Sequence, residues 1–182
     1  MTDAPKRLPG EMTQAQETER MIRVNQAGEY GAVRIYEGQI AVLGARPAGN
    51  AIRRMAAQEA VHLQKFDRLM NERRVRPTLL SPVWHMAGFA LGAATALMGE
   101  KAAMACTVAV EEVIDEHYAR QAERLEGDDP ALKGLIEECR AEEIEHKHEA
   151  EQAGAREAPG YPVLSGAIKT GARLAIWLSS RV

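Results

Sequence analysis

The chain has 182 residues, which suits one domain with one substantial core. Hydrophobic content of 46% and charged content of 27% exclude a disordered protein, and 4% aromatic content favours helices over sheets. A net charge of −3 gives no electrostatic reason to expect nucleic acid, and two isolated cysteines, Cys106 and Cys139, argue for buried thiols against a disulfide framework or zinc ribbon.

Residues 1–12 are polar and contain Pro5 and Pro9. They lack the apolar core of a secretory signal and the character of a transit peptide, so a disordered lead-in to a bacterial cytoplasmic protein is expected. A first helix is predicted over 13–43, where Met21, Val24, Tyr36, Ile40 and Leu43 recur at helical spacing before Gly44 and Pro47. Gly28 and Gly31 flank Glu29 and Tyr30; interior glycines cost ~1 kcal/mol each and mark close approach of a helix or a ligand. A second helix over 50–74 carries Met55, Glu59, His62, Phe66 and Leu69, so a glutamate and a histidine stand in its inward stripe.

Arg73, Arg74 and Arg76 precede a stretch, 77–99, of 23 residues without a charge. That length could cross a bilayer as a helix. A crossing would place Glu29, Glu59 and His62 on the opposite side from everything downstream, so a hydrophobic crossover helix lying on a membrane or partner is expected instead. His85 reads there as a lone polar group at that interface. A third helix over 100–125 aligns Val108, Glu111, Asp115 and Tyr118, and Gly127 to Pro130 form a turn. A fourth, over 131–154, bears Leu135, Cys139, Glu142, Glu143 and His146. The tail, 163–182, reads as an amphipathic helix: Lys169, Arg173 and Arg181 are its only charges, and Leu174, Ile176, Trp177 and Leu178 its apolar side, a membrane-surface pattern.

Two stretches repeat one arrangement, Glu29…Glu59-x-x-His62 and Glu111…Glu143-x-x-His146, with separations of 30 and 32 residues. Three helical residues give ~4.5 Å of rise, so each Glu-x-x-His pair projects from one face. Four carboxylates and two imidazoles from four helices form the ligand set of ferritin-like di-iron and di-manganese bundles, which predicts an all-α, four-helix, ferritin-like domain over 13–182. Four glutamates neutralise two Fe²⁺ ions and would repel one another, buried, without them. Glu145 and His148 offer a rival pair one step along, and His117 a rival imidazole.

Arg23–Ala32, Ala105–Glu112, Arg74–Thr78, Gly88–Gly92 and Leu174–Ser179 resemble the 5-demethoxyubiquinone hydroxylases of ubiquinone biosynthesis. The resemblance implies a membrane-bound di-iron monooxygenase that hydroxylates a prenylated demethoxybenzoquinol ring with O₂ as co-substrate. It places the metal ligands at Glu29, Glu59, His62, Glu111, Glu143 and His146, and a tyrosine near the metals at Tyr118. Asn25-Gln26 stand where members often have Asp-His. A peripheral location on the cytoplasmic face of the cell membrane follows, with NADH or the quinol as reductant and a homodimer or accessory ubiquinone-biosynthesis protein as partner. The rival expectations are a soluble ferritin- or rubrerythrin-like iron store or peroxidase, and a metal-free structural bundle.

Overall fold

Thr13 opens the first helix with a capping box: its hydroxyl accepts from the Gln16 N–H at 3.2 Å, and the Gln16 side chain accepts from the Thr13 N–H at 2.8 Å. The computed structural model describes residues 11–125 and 127–182. The lead-in expected over 1–12 therefore lies, except for its last two residues, outside the described residues.

Among the described residues six helices follow in order: α1 (Gln14–Leu43), α2 (Gly49–Arg73), α3 (Ser81–Leu97), α4 (Glu100–Arg124), α5 (Pro130–Gln152) and α6 (Tyr161–Ser179). A 3₁₀ turn, Ala155–Glu157, precedes α6, and there is no strand among the described residues. The fold is the all-helical, ferritin-like bundle expected. Arg74, at φ 54°, ends α2 in the left-handed conformation, and the Asp129 carboxylate caps α5 by accepting from the Leu132 N–H.

α1 and α2 form one antiparallel hairpin, α4 and α5 another. Gln39 on α1 donates to the Ala103 carbonyl of α4 at 3.1 Å, and Lys65 on α2 pairs with Glu138 on α5 at 3.2 Å, so the hairpins dock antiparallel. α3 is the crossover, 17 residues or about 25 Å long, which returns the chain along the bundle. It runs parallel to α1, as α6 runs parallel to α4, where Lys169 pairs with Glu112 and Arg173 with Glu116. The α4–α5–α6 half thus repeats the α1–α2–α3 half. Glycine makes the α1–α3 contact possible: a Cβ on Gly92 would lie 1.9 Å from the Ile35 carbonyl oxygen, and one on Gly38 2.2 Å from that of Phe89. No helix is long and apolar enough to cross a membrane among the described residues.

Apolar clusters close the bundle at both ends. Ile52, Met55, Met104 and Val108 fill one, and Ile22, Phe66, Leu132 and Ile136 the other. Each such side chain contributes about 1.5–3 kcal/mol on burial. Cys106 and Cys139 are free, buried thiols as expected.

Several surface residues find partners that the sequence did not show. His85 is no lone group: its Nδ1 lies 2.6 Å from the Tyr30 hydroxyl. Lys169 and Arg173 are committed to Glu112 and Glu116, and Arg73 to Asp129. Phe89 lies under the Arg34 guanidinium, and Trp84 donates its indole N–H to the Ser179 hydroxyl. Exposed apolar side chains include Leu79, Val83, Met86, Leu97 and Met98 around α3, and Val163, Leu174 and Trp177 on α6, the last two on the apolar side expected of the tail.

Candidate metal centre

Between the two apolar ends, the bundle interior becomes acidic. Glu29, Glu59, His62, Glu111, Glu143 and His146 are each no more than 3% exposed. They come from α1, α2, α4 and α5, one helix apiece for the lone glutamates and one for each Glu-x-x-His. Donor atoms of Glu29, Glu59, His62 and Glu143 all lie within 4.8 Å of one another, as do those of Glu59, Glu111, Glu143 and His146. Glu59 and Glu143 belong to both groups. Each group therefore has its own glutamate and histidine, and the two share the paired glutamates.

The hydrogen bonds cross between halves. Tyr118, seven residues after Glu111, donates to Glu29; Tyr36, seven residues after Glu29, donates to Glu111 at 3.2 Å. Both histidines turn Nδ1 inward. His62 Nδ1 meets Glu143 at 3.1 Å, and His146 Nδ1 meets Glu143 at 3.0 Å and Glu59 at 3.1 Å. Their outer nitrogens are held by the residue preceding the other half's paired glutamate: His62 Nε2 by Glu142 at 2.9 Å, His146 Nε2 by Gln58 at 3.0 Å. Such outer contacts fix the ring and its tautomer, leaving the inner nitrogen free to ligate.

Electrostatics test the fit to a metal. Burial, reinforced by the charge of Glu143, pushes the carboxyls of Glu59 and Glu111 well above their ordinary range, and burial lifts Glu29 against the opposing hydrogen bond of His62. Burial would lower His62, but hydrogen bonds to Glu143 and Glu29 raise it. Both Glu59 oxygens are buried without a hydrogen bond, although His146 stands nearby. A buried carboxylate lacking donors is expensive unless a cation meets it. The donor set, all oxygen and imidazole nitrogen, suits divalent iron or manganese.

The rival ligands lie elsewhere. Glu145 and His148 are exposed, and Glu112 faces Lys169. His117 belongs to a buried network with Asn25 (3.1 Å) and Gln121 (2.7 Å), and burial, aided by Arg120 and Arg124, lowers it to about 4. Asn25 thus braces α1 against α4 one turn before Glu29, whereas Gln26 reaches Asp67 on α2. Asp115, on the ligand side of α4, accepts from Arg140. Sequence reasoning passed over Tyr36, Gln58 and Glu142. The signal was available: Tyr36 repeats the seven-residue spacing of Tyr118, and Gln58 and Glu142 occupy matching positions before the paired glutamates.

An apolar cavity of about 550 Å³ has Gly28 and Val110, the residues preceding Glu29 and Glu111, in its wall. It lies between α1–α3 and α4–α6, walled by Gly28, Gly31, Leu91, Ile114, Ile168 and Gly171, and Gly28 adjoins Glu29.

The comparisons agree with this geometry. A family model described as Ubiquinone biosynthesis protein COQ7 matches residues 16–179. The chain is 60% identical over 180 residues to the 3-demethoxyubiquinol 3-hydroxylase of Rhodospirillum rubrum, covering 98% of this chain and 85% of the relative. It is 52% identical over 168 residues to the human mitochondrial NADPH-dependent 3-demethoxyubiquinone 3-hydroxylase, covering 90% and 77%. It is 40% identical over 196 residues to the mitochondrial 5-demethoxyubiquinone hydroxylase of Saccharomyces cerevisiae, covering 98% and 84%. These are named hydroxylases, which favours an enzyme over an iron store or a structural bundle. With nearly the whole chain matched and two Glu-x-x-His helices in register, the protein belongs to the COQ7 family of ubiquinone biosynthesis proteins.

Proposed function

We propose that the chain is a di-iron monooxygenase that hydroxylates the ring of a prenylated demethoxybenzoquinol with O₂, in ubiquinone biosynthesis. The observation that carries this reading is the buried six-residue cluster, in two overlapping groups of four donors, inside a chain so similar to named demethoxyubiquinol hydroxylases. Glu29 and His62 would hold one iron ion and Glu111 and His146 the other, with Glu59 and Glu143 reaching both. Bound there, the iron pair supplies O₂ activation.

The protein's own groups do the rest. Gly28 and Gly31 leave room for a flat ring beside Glu29, and the apolar walls of Leu91, Ile114 and Ile168 suit an isoprenoid tail and exclude water. Trp84 and Ser179 tie α3 to α6 at one end of this cavity, so its width is set by protein contacts. The Tyr118 hydroxyl stands on Glu29, where it orients that carboxylate and keeps a proton beside the cavity.

The exposed apolar residues lie around α3 and on α6, two of the four helices that wall this cavity, which supports peripheral attachment to the cytoplasmic face of the membrane and entry of the quinol from lipid. The human relative's name specifies NADPH. A second cavity of about 410 Å³, lined by Arg20, Arg120, Arg124 and Trp177, carries charge of the sign that a phosphate-bearing reductant needs, which supports a nicotinamide dinucleotide as the electron source over the quinol itself. A homodimer or an accessory protein would complete the assembly on the membrane; nucleic acid has no part in it.

Metal analysis of the purified protein should find about two iron atoms per chain. The same preparation should convert a prenylated demethoxybenzoquinol to its hydroxylated product, dependent on O₂ and NAD(P)H. Glu143→Ala removes a carboxylate from both donor groups, and should abolish product and lower iron content. Full turnover by that variant would overturn the assignment.

A further inference from the structure

One sulfur stands at the edge of the metal centre. Cys139 lies one turn before Glu143 on α5, so Cys139, Glu143 and His146 share a face at i, i+4 and i+7. The thiol is fully buried, and its Sγ is within 4.8 Å of a Glu29 carboxylate oxygen and a His62 ring nitrogen. The matching position in the first half is Met55, one turn before Glu59, whose thioether lies 3.7 Å from the Tyr36 hydroxyl and has no proton to lose. Only one end of the centre therefore offers an ionisable sulfur. Glu59, shared by both ends, reaches the same Glu29 and His62 donors, and its two oxygens are buried without hydrogen bonds, so a cation seated among these groups meets a carboxylate lacking donors.

We propose that Cys139, His62 and Glu29 form a site for a thiophilic divalent cation of the zinc and cadmium class, overlapping the iron pair and excluding it. The inference rests on reading the buried cluster as a metal centre. A thiolate, an imidazole and a carboxylate with one position open make a four-coordinate set that zinc accepts, whereas iron is served by the carboxylates and imidazoles alone. Because Glu29 and His62 are common to both arrangements, a thiophilic ion seated on Cys139 takes two ligands from one iron. Binding forms a metal–sulfur bond and releases the thiol proton to solvent; no electron is transferred. The result is an enzyme whose iron is displaced by zinc-class ions at one defined end.

The test titrates iron-loaded protein with Cd²⁺, following near-ultraviolet thiolate-to-cadmium absorption and released iron in one sample. In the wild type, the absorption should saturate at a single equivalent as iron leaves. Cys139→Ser and Cys139→Ala should lose the absorption and need at least about tenfold more Cd²⁺ to release iron. Cys106→Ala removes a buried thiol outside these donor groups and should behave as wild type. Iron present but no thiolate absorption in the wild type overturns this site alone, as does absorption that survives Cys139→Ser or disappears in Cys106→Ala. Should both Cys139 variants fail to fold, the wild type and Cys106→Ala still decide. Protein that never holds iron overturns the metal-centre reading, and this one with it.

Discussion

Replacing Gly92 by alanine tests how α3 is held. The added Cβ would start 1.9 Å from the Ile35 carbonyl oxygen, and ordinary contact begins at 3.4 Å, so α3 must move outward by about 1.5 Å or α1 must bend. The obstacle is backbone, so no side-chain rotation relieves it. Overpacking of this kind costs about 1–3 kcal/mol. For a chain of this length that lowers the thermal midpoint by roughly 3–10 °C. The outward shift also widens the cavity wall that Leu91 supplies, so KM for a long-chain quinol should rise more than kcat falls. Gly134→Ala is the control: it sits in α5 with nothing within 4 Å of its added Cβ, and alanine there should stabilise by about 0.5–1 kcal/mol through helix propensity. The assay is thermal unfolding of both iron-loaded variants by far-ultraviolet circular dichroism. A Gly92→Ala midpoint equal to or above wild type would refute the close α1–α3 approach.

Tyr118→Phe removes the donor to Glu29 and should fold and bind iron while kcat falls about tenfold, equivalent to ~1.4 kcal/mol of lost positioning; unchanged kcat at unchanged stability would make Tyr118 an ordinary core residue. The Arg73 hydrogen bond holds the Asp129 carboxyl below its ordinary value of 3.8, so the ion pair's stabilisation is fully present above that pH and is lost as pH falls through the lower folded value. Asp129→Asn keeps a cap but loses the pair, and its unfolding free energy from denaturant titration should trail wild type by a constant ≤ ~1 kcal/mol at neutral pH and converge with it in acid; a gap that widens in acid would contradict the pairing. Leu79→Ser with Met86→Ser removes two highly exposed apolar side chains, and at about 1.5 kcal/mol or more each should cut flotation with anionic liposomes by at least about tenfold. Wild-type protein that stays free of liposomes at low salt would show that this surface serves another purpose.

The helices and the six clustered residues were legible because both depend on local periodicity. A Glu-x-x-His pair shares a face whatever surrounds it, and two copies at matching distance from a lone glutamate leave one way to converge. The pairing of surface charge was not legible. Lys169 and Arg173 read as membrane-facing because their partners, Glu112 and Glu116, lie more than fifty residues away and meet them only once α6 docks parallel to α4. Which face of α3 is exposed was not legible either. A nearly uniform apolar stretch has no periodicity to say which side is buried, and glycine chose for it: the face with Gly88 and Gly92 turns to α1, which leaves Val83 and Met86 outward and seats Phe89 beneath Arg34. His85 likewise found its partner, Tyr30, through that contact.

The chain builds within one polypeptide an approximate dyad that an obligate homodimer would build from two, and the apolar cavity lies across its axis. Under strict symmetry the two ends of the centre would be chemically identical, with nothing to tell a substrate ring which to face. Alongside the mismatch of Cys139 with Met55, a second departure from symmetry reaches the histidine ligands and consists of a single atom type. His62 leans its outer nitrogen on the carboxylate of Glu142, while His146 leans on the amide of Gln58. A carboxylate draws the imidazole N–H proton toward itself and enriches the ring, so His62 is the more electron-donating of the two histidines. Polarity along the axis is thus written in the residue before each paired glutamate, one position outside the repeated motif.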